Sequence, residues 1–141
     1  MTEEKVLQMW DKLTRAYDAF RKTQAKYTYK HKLTAPQFNV LEVLNQQGPM
    51  PLKRISEHLL VTGANITCVV DNLEKEELVK RVPSKQDRRV IHAEITDKGK
   101  AKMSDIYTNY VNNMKETASV LSDEEVERMI SVLDKISENA S

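Results

Sequence analysis

Two short stretches hold the side chains best suited to chemistry. From Gly63 to Asn72, the residues Gly63, Ala64, Asn65, Thr67, Cys68 and Asn72 are small or uncharged and polar, interleaved with apolar Ile66, Val69, Val70 and Leu73. At helical spacing the apolar set turns inward and leaves the small, polar set outside. Solvated helix faces are usually rich in Lys and Glu, and this one has neither until Glu74. Small residues permit close approach, while Asn and Thr read hydrogen-bond donors, acceptors or a thymine methyl on base edges. The second stretch, Ser84-Lys85-Gln86-Asp87-Arg88-Arg89, sets three cations against one anion. An arginine at the end of such a loop suits a narrow minor groove, where negative potential is enhanced. A nearby aspartate can hold the guanidinium by two parallel hydrogen bonds and aim it in advance.

Catalytic and metal chemistry have weaker support. The lone Cys68 and the separated His31, His58 and His92 form no nucleophile–base arrangement and no ligand cluster at helical spacing. A glycine-rich phosphate loop is missing as well. The expectation is a protein that is not an enzyme and carries no cofactor or metal.

The elements that must position the two stretches follow from periodicity. Residues 4–29 place Val6, Met9, Trp10, Leu13, Tyr17 and Phe20 on one face of a helix. Thr34-Ala35-Pro36-Gln37 is a capping box opening a second helix with Phe38, Leu41 and Leu44 as its stripe, closed by Gly48-Pro49. A short third helix carries Leu52, Ile55 and Leu59, and after a break at Val61-Thr62-Gly63 the fourth runs through Leu73. The period then changes to two, with Val90, His92 and Glu94 alternating with Ile91, Ala93 and Ile95. Leu78 to Val82 is the partner strand and Pro83 to Arg89 the connecting loop. A fifth helix from about Asp97 sets Ile106, Tyr107, Tyr110, Val111 and Met114 on one side. Ser122-Asp123-Glu124-Glu125 is a second capping box, opening a last helix with Val126, Met129, Ile130, Leu133 and Ile136. The fold class expected is mainly α with a small β-hairpin wing, a winged helix-turn-helix whose second short helix enters the major groove.

Length and composition agree. The 141 residues suit one compact unit, and 3 Gly and 4 Pro in a chain 40% hydrophobic and 30% charged read as helical and globular. Apolar runs fall far short of a membrane span, no secretory leader is visible, and one cysteine suits a cytoplasmic location. The net charge is only +1. It hides a basic stretch at 79–98, with six basic and three acidic side chains, and an acidic one at 99–141, with five and eight.

The stretch LLVTGANITCVVDNLEKEELVKRVPSKQDRRVIHAEITDKG, preceded by LTAPQFNVLEVL, resembles the multiple antibiotic resistance regulator (MarR) family. The matching pieces are Asn65-Ile66-Thr67, Val70-Asp71-Asn72-Leu73-Glu74, Leu78-Val79-Lys80-Arg81, Asp87-Arg88-Arg89 and Ile95-Thr96-Asp97-Lys98-Gly99. The resemblance implies a transcriptional regulator, usually a repressor, that leaves a pseudo-palindromic operator on double-stranded DNA when a small-molecule effector binds. It implies a homodimer built from the terminal helices, which agrees with apolar stripes there that the small central lobe cannot bury. The organisation expected is 1–33 for dimerisation together with 99–141, and 34–98 as the DNA-binding lobe.

By the same resemblance Arg89 enters the minor groove with Asp87 orienting it. Thr62, Gly63, Ala64, Asn65, Thr67 and Cys68 face the major groove, Ser84, Lys85, Gln86 and Arg88 complete the wing, and Arg54 reaches phosphate. Trp10, Tyr17, Phe20, Phe38, Tyr107 and Tyr110 would converge on an effector pocket suited to aromatic or phenolic molecules. Two departures stand out. Glu77 replaces a common glycine, which implies a looser turn after the recognition helix, and Cys68 replaces a common arginine. The competing readings are a winged-helix protein–protein module without DNA binding and a redox-responsive repressor using Cys68. Cys68 has neither a resolving partner nor an adjacent base in sequence.

Overall fold

A computed structural model describes residues 1–59 and 61–141. Its elements are α1 (Glu3–Lys30), α2 (Ala35–Gln47), β1 (Met50–Pro51), α3 (Leu52–Leu59), α4 (Gly63–Lys75), β2 (Val79–Pro83), β3 (Ile91–Ile95), α5 (Asp97–Thr117) and α6 (Asp123–Ala140). Both capping boxes form. The Thr34 hydroxyl accepts the Gln37 amide at 3.2 Å while Gln37 Oε1 accepts the Thr34 amide at 2.9 Å, and Ser122 with Glu125 repeats the exchange at α6.

The wing is wider than a hairpin. The strands pair antiparallel in the order β1-β3-β2, with Met50 opposite Ala93 and Pro51 opposite His92. A two-residue strand has no period to detect, and Pro51, which cannot donate, is tolerated because β1 is an edge. The hairpin register sets Val79 against Ile95 and Val82 against His92, so β2 begins one residue later than the periodicity implied. Val90 lies outside β3; its amide donates to the Asp87 carbonyl at 3.0 Å, closing the tip.

The turn after α4 corrects the expectation attached to Glu77. It is tight: the Leu78 amide donates to the Leu73 carbonyl and the Glu77 amide to the Glu74 carbonyl, both at 3.0 Å. This is a Schellman termination, which needs a left-handed residue at the position Glu77 occupies. Glu77 adopts φ +62° in glycine's place. The end of α1 repeats the motif with Lys32 at φ +60°.

The core forms around α2, whose Phe38, Val40, Leu41, Val43 and Leu44 are all buried. Ile55 of α3, Ile66, Val70 and Leu73 of α4, Ala93 and Ile95 of β3, and Met103 and Ile106 of α5 close over it. Each such aliphatic side chain contributes roughly 1.5–3 kcal/mol on burial. Gly99 lets α5 approach the sheet: a Cβ there would collide with the Leu78 carbonyl oxygen and lie 2.7 Å from Ile95 Cγ1.

The ends of the chain behave differently. Val6, Met9, Trp10 and Tyr17 of α1 are exposed, and so are Met129, Ile130, Val132, Leu133 and Ile136 of α6, which buries no residue at all. Contiguous apolar exposure of this kind marks a contact surface. Among the described residues no helix is long and apolar enough to cross a membrane.

Candidate nucleic-acid interface

Burial of Ile66, Val70 and Leu73 fixes the rotation of α4 and turns its other face outward. Thr62, Gly63, Ala64, Asn65, Thr67, Cys68 and Asn72 are all exposed along it. Two of these side chains also have local work. The Thr62 hydroxyl caps the helix, accepting the Asn65 amide at 3.3 Å, and Thr67 Oγ1 donates to the Gly63 carbonyl at 3.0 Å. Thr67 therefore presents its methyl group more readily than its proton. Asn72 Nδ2 lies 3.9 Å from Cys68 Sγ, a weak donation to an exposed thiol. Arg54 is exposed on α3.

At the wing tip, the Ser84 amide donates to the Val90 carbonyl at 2.8 Å, and the Ser84 hydroxyl accepts from the Gln86 amide at 3.2 Å. Ser84 is buried by this role, whereas Lys85, Gln86, Arg88 and Arg89 are not. The expected pairing of Asp87 with Arg89 is present. Arg89 Nε donates to Asp87 Oδ1 at 3.1 Å and Nη2 to Oδ2 at 3.2 Å, while the Arg89 amide also reaches Oδ1 at 3.0 Å. These side-chain bonds, and secondarily the amide, hold the Asp87 carboxyl below the usual aspartate range. The Arg89 side chain is 91% exposed, so it is oriented yet uncovered.

The charge of the hairpin is distributed less evenly than its sequence suggests. Arg81 points at α4, with Nη2 2.6 Å from Asp71 Oδ1 and Nη1 2.8 Å from Glu74 Oε1, and its amide donates to Glu74 Oε2 at 3.2 Å. Burial opposes the guanidinium's charge, but the bonds and charges of Asp71 and Glu74 outweigh it and raise its pKa. Lys80 stands 3.8 Å from Glu94. The cations left at the wing face are thus Lys85, Arg88 and Arg89. Sequence reasoning missed the Arg81 clamp, although Asp71 and Glu74 at i, i+3 on one helix were a usable signal.

The aromatic set divides. Phe38 and Tyr110 meet with ring centroids 4.6 Å apart, and Tyr107 lies 6.4 Å from Tyr110. Phe38 is fully buried as core, and Phe20 is half-buried. Trp10 and Tyr17 stand exposed on α1. Glu42 lies nearby, its carboxyl pushed up by burial. Burial first, then the charge of Glu42 and the neighbouring Tyr107, raises the Tyr110 phenol to about 12.

Residues 33–91 match the model of the MarR family. Over 137 residues the chain is 40% identical to the HTH-type transcriptional regulator MhqR of Bacillus subtilis, covering 97% of this chain and 94% of that protein. It is similar in structure to the transcriptional regulator BldR from Sulfolobus solfataricus, with TM-score 0.86, 26% identity and 99% of each chain covered. BpsR of Bordetella bronchiseptica superposes with TM-score 0.82 at 25% identity, covering 92% of this chain and 98% of that one. Regulators of this family bind DNA as homodimers and respond to small-molecule effectors. With its exposed recognition helix and arginine-tipped wing, the chain belongs to the MarR family and is a DNA-binding transcriptional regulator.

Proposed function

We propose that this protein is a repressor that holds a pseudo-palindromic operator as a homodimer and releases it when a small aromatic or phenolic effector binds. The observation that carries the DNA-binding part is the Arg89–Asp87 pair, a guanidinium aimed by two parallel bonds while still uncovered. In this reading Arg89 enters the minor groove, Asn65, Ala64, Thr67 and Cys68 face base edges, and Arg54, Lys85 and Arg88 lie against phosphates. Thr62 and Ser84 act through the backbone they cap, and Gly63 and Gln86 line the approach.

Residues 34–98 form the DNA-binding lobe, and 1–33 with 99–141 form the dimer. The exposed apolar faces of α1 and α6 support this division. Two recognition helices related by a two-fold axis would sit about 34 Å apart, one turn of DNA. In the similar BpsR, DNA binding is regulated by 6-hydroxynicotinic acid, which supports effector release here. Tyr107 and Tyr110, with the ring of Phe38 buried behind Tyr110, are the proposed effector wall, joined in the dimer by Trp10, Tyr17 and Phe20.

The test uses DNA selected by the protein from a random pool. Gel-shift affinity should decline steeply on a log–log plot against salt. Arg89→Ala should weaken binding by about 1–3 kcal/mol per site while the dimer persists in sizing experiments. Unchanged affinity in that variant would remove Arg89 from the interface, and salt-independent or undetectable binding would favour a protein–protein module.

A further inference from the structure

The exposed face of α4 carries a narrow set of groups with which to read bases. Between Val61 and Glu74 there is no lysine or arginine. Those are the side chains that grip the paired acceptors of guanine in the major groove. Asp71 and Glu74 are carboxylates of the kind that accept from the cytosine amino group, but Arg81 holds both, at 2.6 and 2.8 Å. Along this stretch the charged groups that read a G·C pair are therefore missing or engaged.

The groups that remain favour A·T. Asn65 is exposed in the first turn of α4, the part of a recognition helix that meets base edges. Its backbone amide donates to the Thr62 hydroxyl at 3.3 Å, and its carboxamide has no partner among the described residues. A free carboxamide pairs with adenine at two points: Nδ2 donates to N7 while Oδ1 accepts from the N6 amino group. Thr67 is exposed in the next turn. Its hydroxyl donates to the Gly63 carbonyl at 3.0 Å, and that bond fixes the rotamer of a branched side chain. Its methyl group is thereby held in place and suits the C5-methyl of thymine. The exposed Ala64 adds a second methyl to the same face.

We propose that this face selects A·T pairs in each operator half-site, with Asn65 hydrogen-bonded to an adenine and the Thr67 methyl packed on the methyl of a thymine. The assignment rests on the reading that α4 lies in the major groove, and it adds which bases the helix takes there. Asn65 and Thr67 are then the specificity-determining residues, while Arg54, Lys85 and Arg88 on phosphates supply affinity that carries no sequence information.

The test uses the full-length protein and a DNA it selects from a random pool, whose half-sites should be rich in A·T pairs. Each half-site adenine is replaced in turn by 7-deazaadenine, which lacks the N7 acceptor, and each thymine by uracil, which lacks the methyl. Affinities are read at low salt, where phosphate contacts keep every variant bound. At one adenine per half-site the replacement should weaken the parent by about fivefold or more, a penalty that should vanish in Asn65→Ala. At one thymine per half-site uracil should weaken the parent by about fourfold, a penalty kept in Thr67→Val and lost in Thr67→Ser. Each penalty compares two DNAs on one protein, so a partly unfolded variant does not mimic its loss. Selected half-sites dominated by G·C, or a penalty that persists unchanged in Asn65→Ala or Thr67→Ser, would overturn the assignment while leaving DNA binding intact. Failure to bind any DNA in a salt-dependent manner would overturn the major-groove reading as well.

Discussion

Two residues show how a side chain's surroundings change what it contributes. Glu77 holds a left-handed backbone position at φ +62° that suits glycine, and a residue with a Cβ is disfavoured there by about 1–2 kcal/mol. Its side chain makes a long ion pair, 3.7 Å, to the exposed Lys98. Glu77→Gly should therefore stabilise the protein by about 1 kcal/mol in urea denaturation, less whatever the freer glycine adds to the unfolded chain. Glu42 illustrates the opposite case, a carboxyl whose folded pKa is raised by burial. Such a group stabilises fully below its unfolded pKa, and that contribution is lost as pH rises through the higher folded value. Glu42→Gln should thus gain stability over the parent near pH 7 and lose the advantage near pH 4, read from urea midpoints at the two values. The same change should lower the Tyr110 pKa from about 12, since the Glu42 charge is one of its causes; ultraviolet titration of the phenol reports it.

Elements meet at places where backbone, not side chain, limits approach. The start of α5 sits on the end of β3 and the beginning of β2 because Gly99 has no Cβ to strike the Leu78 carbonyl. That carbonyl also accepts the Thr96 amide at 3.0 Å, so it cannot move aside without losing a bond. Gly99→Ala should destabilise by about 1–3 kcal/mol, the range for overpacking a filled site, and thermal melting of the dimer measures it. The Arg81 clamp ties β2 to α4 through Asp71 and Glu74 and so sets the angle between recognition helix and wing. These elements were legible beforehand because capping residues and periodicity are local signals. The edge strand Met50–Pro51 was not, since its pairing with Ala93 and His92 joins residues far apart in sequence.

At the scale of the whole molecule, a single chain leaves its ends unfinished. The stripe Met129, Ile130, Leu133 and Ile136 of α6 lies in water, and a second subunit is the proposed cover. Leu133→Asp should convert the dimer to monomer in analytical ultracentrifugation while leaving the 34–98 lobe folded by circular dichroism. Affinity for a two-half-site DNA should fall with it, because both lobes must bind together. A variant that remains dimeric would place the dimer contact elsewhere.

Sequence by itself determined the helices, the hairpin, the polar face of α4 and the Asp87–Arg89 pair, because each depends on residues close to one another along the chain. Tertiary structure alone decided that Arg81 pairs with Asp71 and Glu74 of α4 and that Phe38 and Tyr110 touch while Trp10 stands exposed. It also decided that Gly99 seats α5 against the Leu78 carbonyl. Each of these depends on distant segments packing together, where burial and pairing outweigh local preference. The basic stretch that a net charge of +1 conceals is divided by that packing: Arg81 is engaged with α4, and Arg89 remains uncovered at the wing tip.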